Sequence, residues 1–183
     1  MSADLREALN EITNSGRCCI CEHAQEFEAL RKRLPHAISL FEKEFPIPHN
    51  CFQYAFGIAQ SDVIHRMLTQ DRFRQTNRKP HTDVKVGTEF VAKMIAAGML
   101  VANPNGKIIL YFDDKGEPKH AGIALGQRVI SKWGSGYAWN HDVWEVPATY
   151  GTRAERFDLK ATTPEIERLF QEYAARLPTI SPS

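Results

Sequence analysis

Through the first hundred residues, apolar side chains recur at steps of three and four; beyond them they gather into short runs broken by turn residues. Leu5, Ala8, Leu9 and Ile12 predict a helix over 3–14, ended by Asn14, Ser15 and Gly16. Phe27, Leu30 and Leu34 predict a second over 23–34, limited by Pro35. Residues 36–45 read as a short turn or helix. Pro46-Ile47-Pro48 then forces an extended approach to Asn50, because a residue before proline avoids the helical region. Asn50 can cap a helix that starts at Cys51 and turns Phe52, Ala55, Phe56 and Ala59 inward. Val63, Ile64, Met67 and Leu68 predict a helix over 61–69, and 70–82 is polar, a loop or a frayed continuation. Phe90, Val91, Met94 and Ile95 predict another over 88–97, which Gly98 ends.

The pattern changes at Asn103-Pro104-Asn105-Gly106, a strong turn signal. Strands are expected over 107–112, 119–125 and 128–133, joined by turns at Asp113-Asp114-Lys115-Gly116-Glu117 and Gly126-Gln127. Gly134-Ser135-Gly136 interrupts the series, a fourth strand is expected over 142–146, and a looser stretch around Tyr150-Gly151 follows. The clearest helix spans 163–177, with Thr163 as its cap, Pro164 in its first turn and Ile166, Leu169, Phe170, Tyr173, Ala174 and Leu177 on one side. Pro178 stops it, leaving 178–183 as a tail. The outline is an α+β fold, helices packed against a small antiparallel sheet. With 183 residues it reads as a single domain, 1–183.

Composition, 43% hydrophobic and 25% charged, is that of a globular protein. Lys and Arg number 23 against 22 Asp and Glu, a net +1, so no global field draws the chain to nucleic acid or anionic lipid. The segment 66–85 is locally basic and reads as a solvated helical face rather than a partner-facing patch. Residues 88–105 plus the following hairpin also suit a winged-helix DNA-binding unit, but no Arg or Lys occupies a recognition face. The N-terminus mixes Asp4, Arg6 and Glu7 with isolated apolar residues, so no signal peptide is expected, and no apolar run reaches membrane-spanning length. The expected location is cytoplasmic, or exported without a classical signal, with no membrane or nucleic-acid partner.

Three of the four cysteines lie together. Cys18-x-x-Cys21 has zinc-like spacing and His23 follows closely, but a structural site needs a second ligand pair at a matched distance. His36 and His49 are the later candidates before Cys51. Cys18, Cys21 and His23 are therefore weak metal candidates, and the expectation is plain structural cysteines and no cofactor.

The fourth cysteine carries more chemistry. At the first turn of a helix, Cys51 would meet unpaired backbone N–H groups and the positive helix end, both of which favour thiolate. His120 opens the run His120-Ala121-Gly122-Ile123-Ala124-Leu125-Gly126 at a strand start, a rigid place for a base, and small Ala121 and Gly122 would let the helix approach the sheet closely. Each residue alone has a bland reading, a small buried hydrophobe and a strand-edge histidine.

Together with Asn50-Cys51-Phe52-Gln53-Tyr54-Ala55-Phe56-Gly57 and Arg128-Val129-Ile130-Ser131-Lys132-Trp133-Gly134, that run resembles the NlpC/P60-type branch of the papain-like cysteine hydrolases, over roughly residues 50–151. The resemblance implies Cys51 as nucleophile and His120 as base in an amidase, peptidase, deamidase or transacylase working through a thioester. Its third, orienting residue falls at Ser131, which lacks charge; Lys132 has no acceptor to offer. Asn140, His141, Asp142 and Glu145 are alternatives, with His141 and Asp142 ranked first. The Cys51 N–H plus Gln53, His49 or Tyr54 would hold the oxyanion, although Gln53 sits about 200° around the helix from Cys51. The expected partner is a peptide, protein or small amide or ester substrate. The competing reading is a non-catalytic scaffold of the same fold that binds a partner through an aromatic groove, with Trp133, Tyr137, Trp139 and Trp144 as its wall.

Overall fold

The computed structural model describes residues 3–14, 20–42, 49–134 and 136–181, without the side chains of Ile20 and Cys21. Helices α1 (Ala3–Asn14) and α2 (Ile20–Arg31) precede strand β1 (Ser39–Glu42). Helices α3 (Cys51–Ala55), α4 (Asp62–Thr76) and α5 (Thr88–Ala96) follow. Then come β2 (Leu100–Ala102), β3 (Ile108–Phe112), β4 (Pro118–Leu125), β5 (Arg128–Lys132) and β6 (Ala138–Asp142). A 3-10 turn η1 (Ala148–Tyr150), β7 (Arg153–Leu159) and α6 (Thr163–Ala175) complete the order.

The strands form one open sheet in the order β1-β6-β5-β4-β3-β7-β2, with every neighbouring pair antiparallel. This is a mixed α+β fold. Alternation along β3 divides the apolar side chains between two cores. Ile108, Leu110 and Phe112 join Ala121 and the inner faces of α3, α4, α5 and α6. Ile109 and Tyr111 join Val129, Trp133, Trp139 and the inner faces of α1 and α2. Phe27 of α2 sets its edge against Trp139, with centroids 4.6 Å apart at 85°.

Residues 36–45 contain the edge strand β1, where a turn or helix is expected. α4 runs on to Thr76 because its buried Asp71 holds the later chain: one carboxylate oxygen accepts from the Thr82 N–H and hydroxyl, the other from the Val84 N–H. The fourth strand of the meander lies at 138–142 rather than 142–146, since Glu145 takes the Asp142 N–H at 3.1 Å and turns the chain there. β2 and β7 go unpredicted. β7 is mostly polar (RAERFDL) and is a strand because β3 and β2 pair with it on either side. The cap of α6 is Thr162, one residue before the expected position, with Glu165 accepting its backbone N–H at 2.7 Å.

Candidate functional site

Cys51 is the first residue of α3, and a reciprocal capping box fixes it there. Asn50 Oδ1 accepts the Gln53 N–H at 3.0 Å, and Gln53 Oε1 accepts the Asn50 N–H at 3.2 Å. Asn50 Nδ2 also donates to the Val86 carbonyl at 2.7 Å, which ties the helix start to the segment before α5. After one turn the chain leaves through Gly57, whose φ of +68° is a left-handed value that glycine adopts without strain. The sequence therefore positions this cysteine with short-range interactions alone.

What surrounds the sulfur is a matter of sheet geometry. The β4–β5 ladder pairs Ile123–Leu125 with Arg128–Ile130 and is not continued toward His120. At that end α3 packs across both strands, and the backbone N–H groups of Ala121, Phe52 and Cys51 itself favour the Cys51 thiolate. Burial pushes its thiol up to about 11; the N–H groups and the charge of Lys132 pull the other way and do not prevail. The expected resting thiolate is thus replaced by a thiol. A five-residue helix supplies a weak end-field, and desolvation outweighs it.

His120 pairs with Tyr111 across β3, and adjacent strand residues point to opposite faces, so its ring enters the core beneath α1 and α2 rather than the side of the sheet that carries α3. There it stacks on Tyr150, centroids 3.9 Å apart at 22°, beside Tyr111 at 5.5 Å. It is 1% exposed, and its Nε2 has no hydrogen-bond partner among the described residues. Burial, then the neighbouring His141, hold it well below the ordinary imidazole value, so it is neutral at pH 7. Tyr150 bridges the two sides: it covers His120, feels the charge of Cys51 and receives the Gly134 N–H at its oxygen. Gly122 faces away from α3, and its missing Cβ makes room for Val129 and Ser131 instead of the helix.

The candidates for a third residue lie in a buried chain and at the surface. His141 Nδ1 is 2.8 Å from the Asp142 carbonyl, so it carries the proton, and Nε2 accepts from the Ser131 hydroxyl at 2.8 Å. Trp133 Nε1–H in turn donates to Ser131 Oγ at 2.9 Å. Burial brings His141 down to about 4. Asp142 is exposed and pairs with Arg128 at 2.7 Å. Glu145 accepts from the Ala37 and Asp142 N–H groups, and Asn140 accepts from Arg128. His141 is the member of this set that acts electrostatically on His120.

Lys132, set aside in the sequence because it offers no acceptor, is buried on the α3 side. It alternates with Ser131, which lies opposite Trp139 and so belongs to the other face. Its amine is electrostatically coupled to Cys51 and donates to the Gly134 carbonyl at 3.3 Å. The signal was present: a lysine that closes an apolar strand (Val129-Ile130-Ser131-Lys132-Trp133) must face either solvent or a polar site.

A cleft of about 350 Å³ opens beside the α3 start, lined by His49, Asn50, Gln53, Arg72, Lys85 and Gly134 among others. His49 is stacked on Tyr54 at 5.9 Å, and Gln53 is committed to the capping box. Trp133 and Trp139 are core residues, 4% and 3% exposed, and do not wall a groove. No group of three or more His, Cys, Asp or Glu suited to a metal occurs among the described residues. Cys18 and the Cys21 side chain lie outside them; His23 lies against Phe27. No helix among the described residues is long and apolar enough to cross a membrane.

Fold and site thus define a mixed α+β protein with an open antiparallel sheet and a helix-start cysteine packed on it. The chain belongs to the family described as "Domain of unknown function (DUF7689)", whose model matches residues 44–158, from the approach to Cys51 to the end of β7. No curated protein and no solved structure matches the chain.

Proposed function

We propose that this protein is a papain-like cysteine hydrolase or acyltransferase, of the kind NlpC/P60 proteins represent, acting on an amide or ester through a thioester on Cys51. The observation that carries the reading is Cys51, held at the start of α3 by a capping box, among backbone N–H groups that favour its thiolate and next to the Asn50 that lines a polar cleft. The sulfur attacks the acyl carbon as its proton passes to neutral His120 by way of Tyr150, which stands between the two faces. The C–N or C–O bond then breaks, His120 protonates the departing amine or alcohol, and water or an amine resolves the thioester. The Cys51 and Phe52 backbone N–H groups are the donors available to the oxyanion.

An activated ester such as p-nitrophenyl acetate tests this directly. Intact mass should show one acetyl group on Cys51 that neutral hydroxylamine removes, absent in Cys51→Ala and at least tenfold slower to form in His120→Ala. A folded protein that acquires no acyl group on Cys51 between pH 6 and 10 would overturn the reading. The raised thiol favours a second reading, a non-catalytic papain-like scaffold that binds a peptide or protein partner, with the polar cleft rather than an aromatic groove as its surface.

A further inference from the structure

We propose that Lys132 is the positioning charge for Cys51, its buried ammonium stabilising the thiolate that attacks the acyl carbon. This rests on the reading of Cys51 as nucleophile and adds a residue that the papain-like comparison does not supply. Lys132 is 1% exposed, one of the largest fully buried side chains in the protein. Taking an ammonium out of water costs several kcal/mol unless an anion or dense hydrogen bonding compensates. Methionine would fill similar space without that cost.

The geometry puts the charge on the side of the sheet where Cys51 acts. The side chain leaves β5 on the α3 side, opposite to Ser131, and α3 packs over β5 and β4 at that level. The bond from Nζ to the Gly134 carbonyl holds the amine at the strand end, next to a residue that lines the cleft. The same glycine's N–H acts on the Tyr150 phenol, so one residue serves both polar groups that are coupled to Cys51. Among the described residues, the titratable groups that act on the pair are Cys51 from α3 and Tyr150 from η1, with His49 on the cleft wall. Burial holds the Tyr150 phenol protonated, so it brings no charge at neutral pH. Burial also brings Lys132 down to about 8, against the upward pull of Cys51. At pH 7 the resting state is therefore thiol with ammonium. When Cys51 gives up its proton, the new anion already has a counter-charge on its own side of the sheet, in a low-dielectric site where that attraction is strong.

The pH dependence of iodoacetamide alkylation at Cys51, followed by peptide mass from pH 6 to 10.5, tests the pairing. Lys132→Met should shift the profile upward by at least one pH unit, read as a tenfold or greater loss of alkylation rate at pH 7. Lys132→Arg, which keeps the charge, should stay near wild type, and Lys132→Gln should follow the Met variant. A folded Met or Gln variant with the wild-type profile would overturn the proposal, as would an Arg variant that behaves like Met. Acylation of wild type combined with an unshifted Lys132→Met profile removes Lys132 alone. A shifted profile without any acylation leaves the ion pair standing and removes the enzyme.

Discussion

His120 and His141 place two imidazoles where a proton is strongly disfavoured. His141 is buried and already uses both nitrogens, and His120 is stacked between tyrosines. Both are held below the ordinary value, His141 at about 4. In the unfolded chain the same rings titrate near 6.5. Below that pH the unfolded state takes up protons that the folded state refuses, so stability is complete above about 6.5 and is lost as pH falls toward 4. For His141 alone the loss at pH 4.5 is about 2–3 kcal/mol. Urea unfolding at pH 7.5 and 4.5 should show a drop of at least that size, and His141→Gln, whose amide can still meet Ser131, should reduce it. Equal stabilities at the two values would contradict the burial of both rings.

At the scale of elements, the capping boxes were the readable features. Asn50 before Cys51 and Thr162 with Glu165 are local devices, decided within four residues, and the helices start where such devices say, to within one position. Asn50 does more than cap, since its amide also holds the Val86 carbonyl. Asn50→Ala is therefore expected at the upper end of a cap loss, about 2 kcal/mol, and should also slow acylation at Cys51. A fall in the urea midpoint with no change in acylation rate would show the cap to be structural only. β7 and β1 were not readable for the complementary reason. A polar stretch such as RAERFDL becomes a strand when β3 and β2 hold it from both sides, and that information lies in the partners.

Across the whole molecule, the two faces of the sheet communicate at one end. Arg6 of α1 donates to the carbonyls of Val146 (3.2 Å), Pro147 (3.3 Å) and Gly151, and its guanidinium lies 5.4 Å from the Trp144 ring centre. It thereby pins η1, whose Tyr150 covers His120 and reaches toward Cys51. α1 and α2 lie outside the family match at 44–158, yet they close the core in which His120 sits. Arg6→Ala should cost about 2–3 kcal/mol, in the range for hydrogen bonds to a charged group, and slow acylation at Cys51. An exposed arginine such as Arg31, paired with Glu28 on α2, serves as the control. An unchanged acylation rate in Arg6→Ala would show that η1 keeps its place without the anchor.

The sequence by itself determined the helix-start cysteine, its cap, three strands of the meander and the α+β class, because each follows from chemistry within a few residues. The side of the sheet on which each polar group acts was a tertiary decision. A strand alternates with period two, so moving one residue along exchanges faces: Ala121, not His120, shares the α3 side with Cys51, and Lys132, not Ser131, shares it too. Burial was the other tertiary decision. The desolvation that raises Cys51 and lowers Lys132 comes from layers packed by distant parts of the chain, and no local pattern of residues encodes how much water they exclude.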